Sequence, residues 1–117
     1  MKTKQVLCPV EITMHVLGGK WKPVILFHLK EKVRRFGELK RIIPGVTQKM
    51  LTQQLRELER DGVVSRKVYA EVPPKVEYAL TKFGETLGPI LKLMCKWGIE
   101  HEHIMQKKKE SEGFRAA

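Results

Sequence analysis

The chain has 117 residues, of which 42% are hydrophobic and 31% charged, and its formal net charge is +10. This length suits one domain with one hydrophobic core, and no apolar run reaches the roughly 18 residues that a membrane span needs. No signal peptide is apparent, because the N-terminal lysines precede no long apolar stretch, so we expect a cytoplasmic protein without a membrane partner. Most of the positive charge lies in residues 30–82, which carry 13 basic and 7 acidic side chains, and this predicts an anionic partner such as nucleic acid.

The N-terminal part of the chain predicts two helices. Pro9 suits the first position of a helix, where its missing N–H is not needed, and Gly18-Gly19 end this helix, so that it spans 9–17. From Trp21 to Leu29 most side chains are apolar, which is typical of a helix in the middle of a core.

A short strand and a third helix are predicted next. The run 34–36 is too short for a helix and predicts a strand stub. The third helix is predicted at 37–42, and it ends before Pro44-Gly45, a pair that marks a tight turn.

The fourth predicted helix spans 47–60. Thr47 is its predicted N-cap, because a threonine hydroxyl accepts from the free N–H groups of the first turn. Asp61-Gly62 end the helix, since glycine adopts the left-handed conformation that follows many helices. One narrow apolar stripe with the spacing i, i+4 and i+7 faces the core, and it consists of Leu51, Leu55 and Leu58.

The C-terminal half predicts a β-hairpin and one long helix. Two β-like runs, 63–69 and 75–80, flank a tip that contains prolines. Thr81 is the predicted N-cap of a single long helix. From Gln106 onward we expect a disordered tail, so that one domain spans 1–105 and the tail 106–117. The helix carries a face that is too apolar for a lone surface helix, formed by Leu87, Ile90, Leu91, Met94, Trp97, Gly98 and His101.

The order of these elements predicts a mainly α fold with a small β-hairpin wing, a winged helix-turn-helix. The helix 47–60 would enter the major groove of DNA. With its leucines inward, a rotation of 100° per residue turns four side chains outward, Lys49, Gln53, Arg56 and Arg60, of which Arg60 is the weakest candidate for DNA contact. Gln pairs with adenine, Arg and Lys pair with guanine, and Thr contacts a thymine methyl group or a phosphate. The predicted DNA contacts of this helix are Thr47, Gln48, Lys49, Thr52, Gln53 and Arg56.

Basic side chains outside the fourth helix are predicted to hold DNA phosphates, a contact that is independent of base sequence and releases counterions. The alternative for all of these residues is an ordinary solvated surface, because the fourth helix also contains Glu57 and Glu59. Its first part, 47–56, has no acidic residue, and this favours DNA contact. The predicted phosphate contacts are Arg34, Arg35, Arg66, Lys67 and Lys75.

The sequence predicts neither a metal site nor a catalytic site. The histidines and the two cysteines lack the paired spacing of zinc ligands. No nucleophile-base pair, phosphate loop or dinucleotide fingerprint is present. We therefore expect no enzyme and no cofactor. The remaining alternative to a DNA-binding protein is a protein-docking domain whose basic surface serves solubility, and it predicts no salt-dependent affinity for DNA.

Seven short blocks carry a family resemblance, and they are, in order, Cys8-Pro9-Val10, Gly18-Gly19-Lys20-Trp21, Arg35-Phe36-Gly37-Glu38-Leu39, Pro44-Gly45-Val46, Leu51-Thr52-Gln53-Gln54-Leu55-Arg56-Glu57-Leu58, Asp61-Gly62 and Pro73-Pro74-Lys75-Val76-Glu77-Tyr78. Through them the chain resembles the HxlR family, winged helix-turn-helix regulators related to the MarR group, over about residues 7–102. The resemblance implies a bacterial transcription regulator that binds double-stranded DNA. It also implies a homodimer in which the first and last helices pack across a two-fold axis, with two recognition helices on a palindromic operator.

Cys8 is the candidate sensor of oxidants or electrophiles. It precedes the first helix, where the helix dipole and nearby lysines favour a reactive thiolate. The resemblance implies that a cysteine at this place responds in some family members, by modification or by a disulfide between protomers. The alternative is a small, inert residue at the helix junction, and Cys95 is predicted to pack in the interface. A small-molecule effector site near Trp21, Met94 and Trp97 has less support than Cys8.

Overall fold

The protein folds into a helical body with a small antiparallel sheet, in a computed structural model that describes residues 8–112. The predicted class, mainly α with a β-hairpin wing, is confirmed. No helix within 8–112 is long and apolar enough to cross a membrane. The elements in chain order are α1 (Pro9–Leu17), α2 (Lys22–Glu31), β1 (Arg34–Arg35), α3 (Phe36–Ile42), α4 (Gln48–Arg60), β2 (Val64–Tyr69), β3 (Lys75–Leu80), α5 (Lys82–Glu85) and α6 (Gly88–Glu112).

The hydrophobic core forms where α2 meets α4, with contributions from α3, the start of β2 and one turn of α6. All three leucines of the predicted α4 stripe are buried, as are Ile25 and Leu26 of α2. Each such side chain contributes on the order of 1.5–3 kcal/mol by leaving water. The remaining buried apolar side chains are Leu17, Leu29, Leu39, Ile43, Val46, Val63, Val64, Tyr78 and Leu91.

The sheet has three strands in the order β1-β3-β2, all antiparallel. The sequence predicted a hairpin and a separate strand stub, and the structure adds the stub to the hairpin through β3. The stub was predicted over 34–36, but its third residue, Phe36, instead begins α3. The reason is that the backbone N–H of Arg35 donates to the Glu38 carboxylate at 2.9 Å and so starts the helix one residue early. This hydrogen bond is the main cause of the lowered pKa of Glu38.

The predicted single C-terminal helix is wrong, because the structure has a short helix, α5, followed by α6. Thr81 caps α5 as predicted, since its hydroxyl accepts from the Gly84 N–H at 2.9 Å. Pro89 has no N–H to continue the α5 hydrogen bonds, whereas a proline is tolerated in the first turn of a new helix, where it lies in α6. Gly84 also sits against the backbone of Val63, directly before β2, where a Cβ would overlap the Val63 carbonyl oxygen.

Helix α6 continues to Glu112, past the predicted start of a disordered tail at Gln106. Residues 106–112 are therefore helical, and the prediction is wrong for them. Lys and Glu, which dominate this segment, are strong helix formers, and a helix already nucleated by packing adds further turns at little cost. Residues 113–117 of the predicted tail lie outside the described residues.

Candidate nucleic-acid interface

The outer face of α4 is fixed by how the helix starts and by what it buries. The Thr47 hydroxyl accepts from the Met50 N–H at 3.1 Å, which caps the helix and sets where its first turn begins. Since the leucine stripe is buried, the opposite side of α4 presents Lys49, Gln53 and Arg56 to solvent. The fourth side chain that the sequence predicted to point outward, Arg60, is exposed as well. Thr47 and Gln48 are exposed at the N-terminal end of the same surface.

A groove of about 300 Å³ separates α4 from the sheet. Thr52 and Arg56 line it from α4, and Arg66 of β2 lines it from the other side, with Tyr78 at its base. Arg56 and Arg66 each make no ion pair with another residue of the described segment. Glu59 is the acidic residue in the lining. The groove therefore brings together three residues that the sequence assigned to two separate elements.

The two faces of the wing carry different predicted residues. In a strand, successive side chains point to opposite faces, so Arg66 faces α4 whereas Lys67 points away from it. The register supports this, because Arg66 lies opposite the buried Tyr78 while Lys67 lies opposite Glu77. Arg35 also pairs with Glu77 and belongs to the Lys67 face. The structure thus divides the predicted phosphate contacts of the wing into two groups.

The Tyr69 ring organises the lysines of the outer wing face. Lys75 Nζ lies 4.4 Å and Lys67 Nζ 4.9 Å from the ring centroid, which are cation–π distances. The Tyr69 hydroxyl donates to Glu77 at 2.9 Å, and Lys75 lies 3.8 Å from the other Glu77 oxygen. Sequence reasoning overlooked Tyr69, although its place in a strand two residues after Lys67 was a usable signal.

Arg34 differs from the other predicted phosphate contacts, because it is engaged within the protein. Its Nη2 lies 2.7 Å from the Glu31 carboxylate, and its Nε donates to the His28 carbonyl oxygen at 3.3 Å. Only 13% of its side chain is exposed. A phosphate contact by Arg34 would require these bonds to break, and the guanidinium instead ties β1 to α2.

A second feature that sequence reasoning overlooked is an ion pair beneath the outer face of α4. Lys22, at the start of α2, is buried, and its Nζ lies 2.7 Å from Glu57 Oε1. The other oxygen, Oε2, accepts from Gln53 Nε2 at 2.8 Å. These hydrogen bonds, from Lys22 first and then from Gln53, lower the pKa of Glu57. The i, i+4 spacing of Gln53 and Glu57 was visible in the sequence, whereas the contact with Lys22 was not.

The two cysteines lie in different surroundings, and both thiols are free. Cys8 occupies the N-cap position of α1 and is exposed, and its side chain does not cap the helix. Cys95 is half-buried on α6, where it shares a cavity of about 230 Å³ with Phe27 and Met94. Among the described residues no three His, Cys, Asp or Glu side chains group closely enough to hold a metal ion.

The residues named for an effector site contact different elements. The Trp21 ring reaches the turn before α4, where it lies near Gly45. Trp97 stacks on His101 within α6, with ring centroids 4.4 Å apart.

Helices α1 and α6 expose most of their apolar surface. On α1, Val10, Ile12 and Met14 are each more than half exposed. On α6, Leu91 is fully buried, whereas most of the other apolar side chains in the described part of the helix are exposed. At 100° per residue most of them form one continuous stripe along the helix. The stripe comprises Ile90, Leu93, Met94, Trp97, Ile104 and Met105.

Comparison with known proteins identifies relatives over most of the chain. The HxlR-like helix-turn-helix family matches residues 16–107. The HTH-type transcriptional regulator YybR of Bacillus subtilis, described as uncharacterised, is 54% identical over 99 residues, which is 85% of this chain and 79% of that protein. The structure of the redox regulator HypR in its reduced form aligns with a TM-score of 0.81 and 52% identity, covering 86% of this chain and 99% of HypR. Diamide-treated YodB from B. subtilis aligns with a TM-score of 0.67 and 36% identity, covering 82% and 96%.

We expect the substitution Glu57→Gln to flatten the acid side of the stability profile. Folding lowers the pKa of Glu57 below the ordinary value of 4.5, so its interactions stabilise the fold above that pH and lose this effect as the pH falls through the folded pKa. The difference in free energy of unfolding between wild type and variant should be largest at neutral pH. It should shrink below pH 4.5, as measured by urea unfolding.

Glu59→Gln provides the control on the same helix, because Glu59 makes no side-chain hydrogen bond or ion pair with another described residue. Its pH profile should run parallel to that of the wild type. A Glu57→Gln difference that stays constant from neutral to acidic pH would contradict the assignment.

Proposed function

Because the chain belongs to the HxlR family of helix-turn-helix transcriptional regulators, we propose that it binds a palindromic operator as a homodimer and reads it with α4. Its relatives are named transcriptional regulators and not enzymes. The observation that carries the proposal is the outer face of α4, on which an amide, a lysine and an arginine are exposed opposite a buried leucine stripe. A regulator of this kind acts on DNA in the cytoplasm.

We call α4 the recognition helix and assign the base contacts to its N-terminal two-thirds. Gln53 has the donor and acceptor pair that matches adenine, and Arg56 and Lys49 have the donors that match guanine in the major groove. Thr52, at the edge of the groove to the wing, suits a thymine methyl group or a phosphate. Thr47 and Gln48 lie in the first turn, the part of a recognition helix that meets base edges.

Phosphate contacts are assigned to both faces of the wing. Arg66 lies across the groove from Arg56, so both guanidinium groups would bind phosphates of one DNA strand. Lys67, Lys75 and Arg35 would hold a phosphate on the outer face, where the Tyr69 ring and Glu77 limit the freedom of the two lysines. Arg34 is the least available of the set because Glu31 already binds it.

Two substitutions should separate base reading from phosphate holding. Gln53→Ala should lower discrimination at one base pair of each half-site by about 1–3 kcal/mol, because an adenine-matching amide is lost. Lys67→Ala should weaken binding to all sequences and make the log–log salt slope shallower by about 0.9, the value for one phosphate. The measurement is fluorescence anisotropy at several salt concentrations, on DNA footprinted upstream of the protein's own gene.

Lys92→Ala, on α6 and away from the recognition helix and the wing, is the matched lysine control. If it changes the salt slope as much as Lys67→Ala, the wing lysine acts only through net charge. An affinity for DNA without salt dependence would instead favour the docking-domain alternative.

The dimer is proposed from the apolar surface that the protomer leaves exposed. The stripe on α6 and the outward side chains of α1 together form an apolar area that a monomeric soluble protein rarely shows. Pairing these helices across a two-fold axis would bury it. Two recognition helices would then face half-sites about 34 Å apart, one helical turn of DNA.

We expect Trp97→Glu to dissociate the dimer. A tryptophan at the centre of an interface is a typical hot spot, worth 2 kcal/mol or more, so the dissociation constant should rise by at least about thirtyfold. Sedimentation equilibrium measures this directly. His103→Glu places the same carboxylate on the opposite side of α6 and should leave the dimer intact. Equal dissociation by both variants would show that the stripe is not the interface.

Cys8 is proposed as the point of redox or electrophile control. Its thiol is exposed at the start of α1, a helix that the dimer would use. The similar structures include the redox regulator HypR in its oxidised and reduced forms and YodB in its reduced and diamide-treated forms, and this supports a redox response of this chain. Modification of Cys8 would shift the balance between two arrangements of the protomers and thus the half-site spacing.

Diamide should reduce operator affinity of the wild type but not of Cys8→Ser. The apparent affinity is reduced in proportion to the fraction of dimers that can still bind DNA. If diamide leaves about one-tenth of the dimers able to bind, we expect roughly a tenfold loss of affinity. Cys95→Ser is the matched control and should respond like the wild type. A wild type that ignores diamide, or a Cys8→Ser protein that still responds, would exclude Cys8 as the sensor.

A further inference from the structure

Gln53, the residue assigned to adenine, is held from within the protein. Its Nε2 donates to Glu57 Oε2 at 2.8 Å, and Glu57 Oε1 accepts from the Lys22 ammonium at 2.7 Å. Each oxygen of one carboxylate therefore serves a different partner. The carboxylate connects an exposed side chain of α4 to Lys22, whose side chain is only 11% exposed to solvent.

The chemistry of this contact gives the Gln53 amide a single orientation. An ionised carboxylate only accepts hydrogen bonds, so the amide must turn its NH₂ group toward Glu57. The flipped amide would put its oxygen against the carboxylate, two acceptors in repulsion. In the allowed orientation Oε1 and the second N–H of Gln53 remain free, and these are the acceptor and donor that an adenine edge requires.

Lys22 compensates the negative charge of the Glu57 carboxylate on α4. An acidic side chain on the DNA-facing helix repels phosphates, and an unpaired carboxylate there would also be free to change rotamer. Lys22 supplies the compensating charge, and burial in the core restricts where its ammonium can go. The carboxylate is thus bound to a side chain of a second helix, α2, as well as to Gln53 of its own helix.

We propose that Glu57, held by Lys22, is a positioning residue that orients the Gln53 amide for one A·T base pair and so sets sequence preference without touching DNA. This proposal rests on the proposed function of α4. A side chain fixed before binding loses less conformational freedom when it meets its base. The lowered pKa of Glu57, caused by Lys22 and Gln53, extends into more acidic solution the pH range over which the carboxylate stays ionised and accepts from both partners.

Two substitutions at Glu57 separate orientation from charge. Glu57→Asp keeps the negative charge but withdraws it by one methylene from Gln53. Glu57→Gln removes the charge and offers one acceptor oxygen for two donors, and its amide can pair with either orientation of Gln53. In both variants, discrimination at the base pair that Gln53→Ala identifies should fall about three- to tenfold. This is part of the full effect of losing a bidentate contact. Only Glu57→Gln should also bind all DNA more tightly.

The double variant Glu57→Asp/Gln53→Ala tests whether the two residues act together. If Glu57 acts through Gln53, the double variant discriminates no worse than Gln53→Ala alone. Additive losses, or unchanged discrimination in both Glu57 variants, would overturn the proposal while leaving operator binding in place. A wild type without sequence preference would instead refute the proposed function itself, and with it this role of Glu57.

A measurement without DNA checks the orientation directly. In the ¹⁵N-labelled protein, the Gln53 side-chain amide should be more ordered, by heteronuclear NOE, than the exposed amide of Gln48. Glu57→Asp should lower the Gln53 value to that of Gln48, while thermal unfolding confirms that the variant is folded. Equal order of the two amides in the wild type would contradict the proposal.

Discussion

The burial of Leu51, Leu55 and Leu58 is the constraint on which the rest of the structure depends. These leucines fill the core beside α2, and together they are worth several kcal/mol of burial. A helix anchored by three side chains on one stripe has little freedom to rotate about its axis. The outward direction of Lys49 and Gln53, and the approach of Arg56 to the wing, follow from that fixed rotation.

Charge on this protein is arranged by specific partners and not only by its excess of basic residues. An unpaired Glu57 carboxylate would repel DNA phosphates. Lys22 compensates its charge, and the same carboxylate accepts a hydrogen bond from Gln53 and orients its amide. On the wing, the Tyr69 ring lies between two lysines that would otherwise be mobile. Burial restricts the position of the Lys22 ammonium, and the Tyr69 ring restricts those of Lys67 and Lys75. A lysine that is restricted in this way loses less entropy when it binds an anion.

The exposed surface divides into a polar side, which we propose for DNA, and an apolar side, which we propose for a second protomer. The recognition helix and the wing occupy the first, and α1 and the stripe of α6 occupy the second. Cys8, directly before α1, and Cys95, on α6, both belong to the apolar side and lie apart from the outer face of α4. A signal received there would reach DNA through the relative placement of two protomers, a route that needs no change within the recognition helix.

Local patterns in the sequence determined most of the elements and which side chains of α4 are exposed. Helix α1, the leucine stripe, the Thr47 cap and strand β3 follow from spacing and capping rules that act within a few residues. Even the break before α6 was signalled locally, by Gly88-Pro89, and was overlooked. Tertiary structure alone decided the pairing of β1 with β3, the engagement of Arg34, the two faces of the wing and the contact between Lys22 and Glu57. Each of these joins residues far apart in the chain or depends on how strands and helices pack, and no periodicity in the sequence encodes which distant side chain will lie within hydrogen-bonding distance.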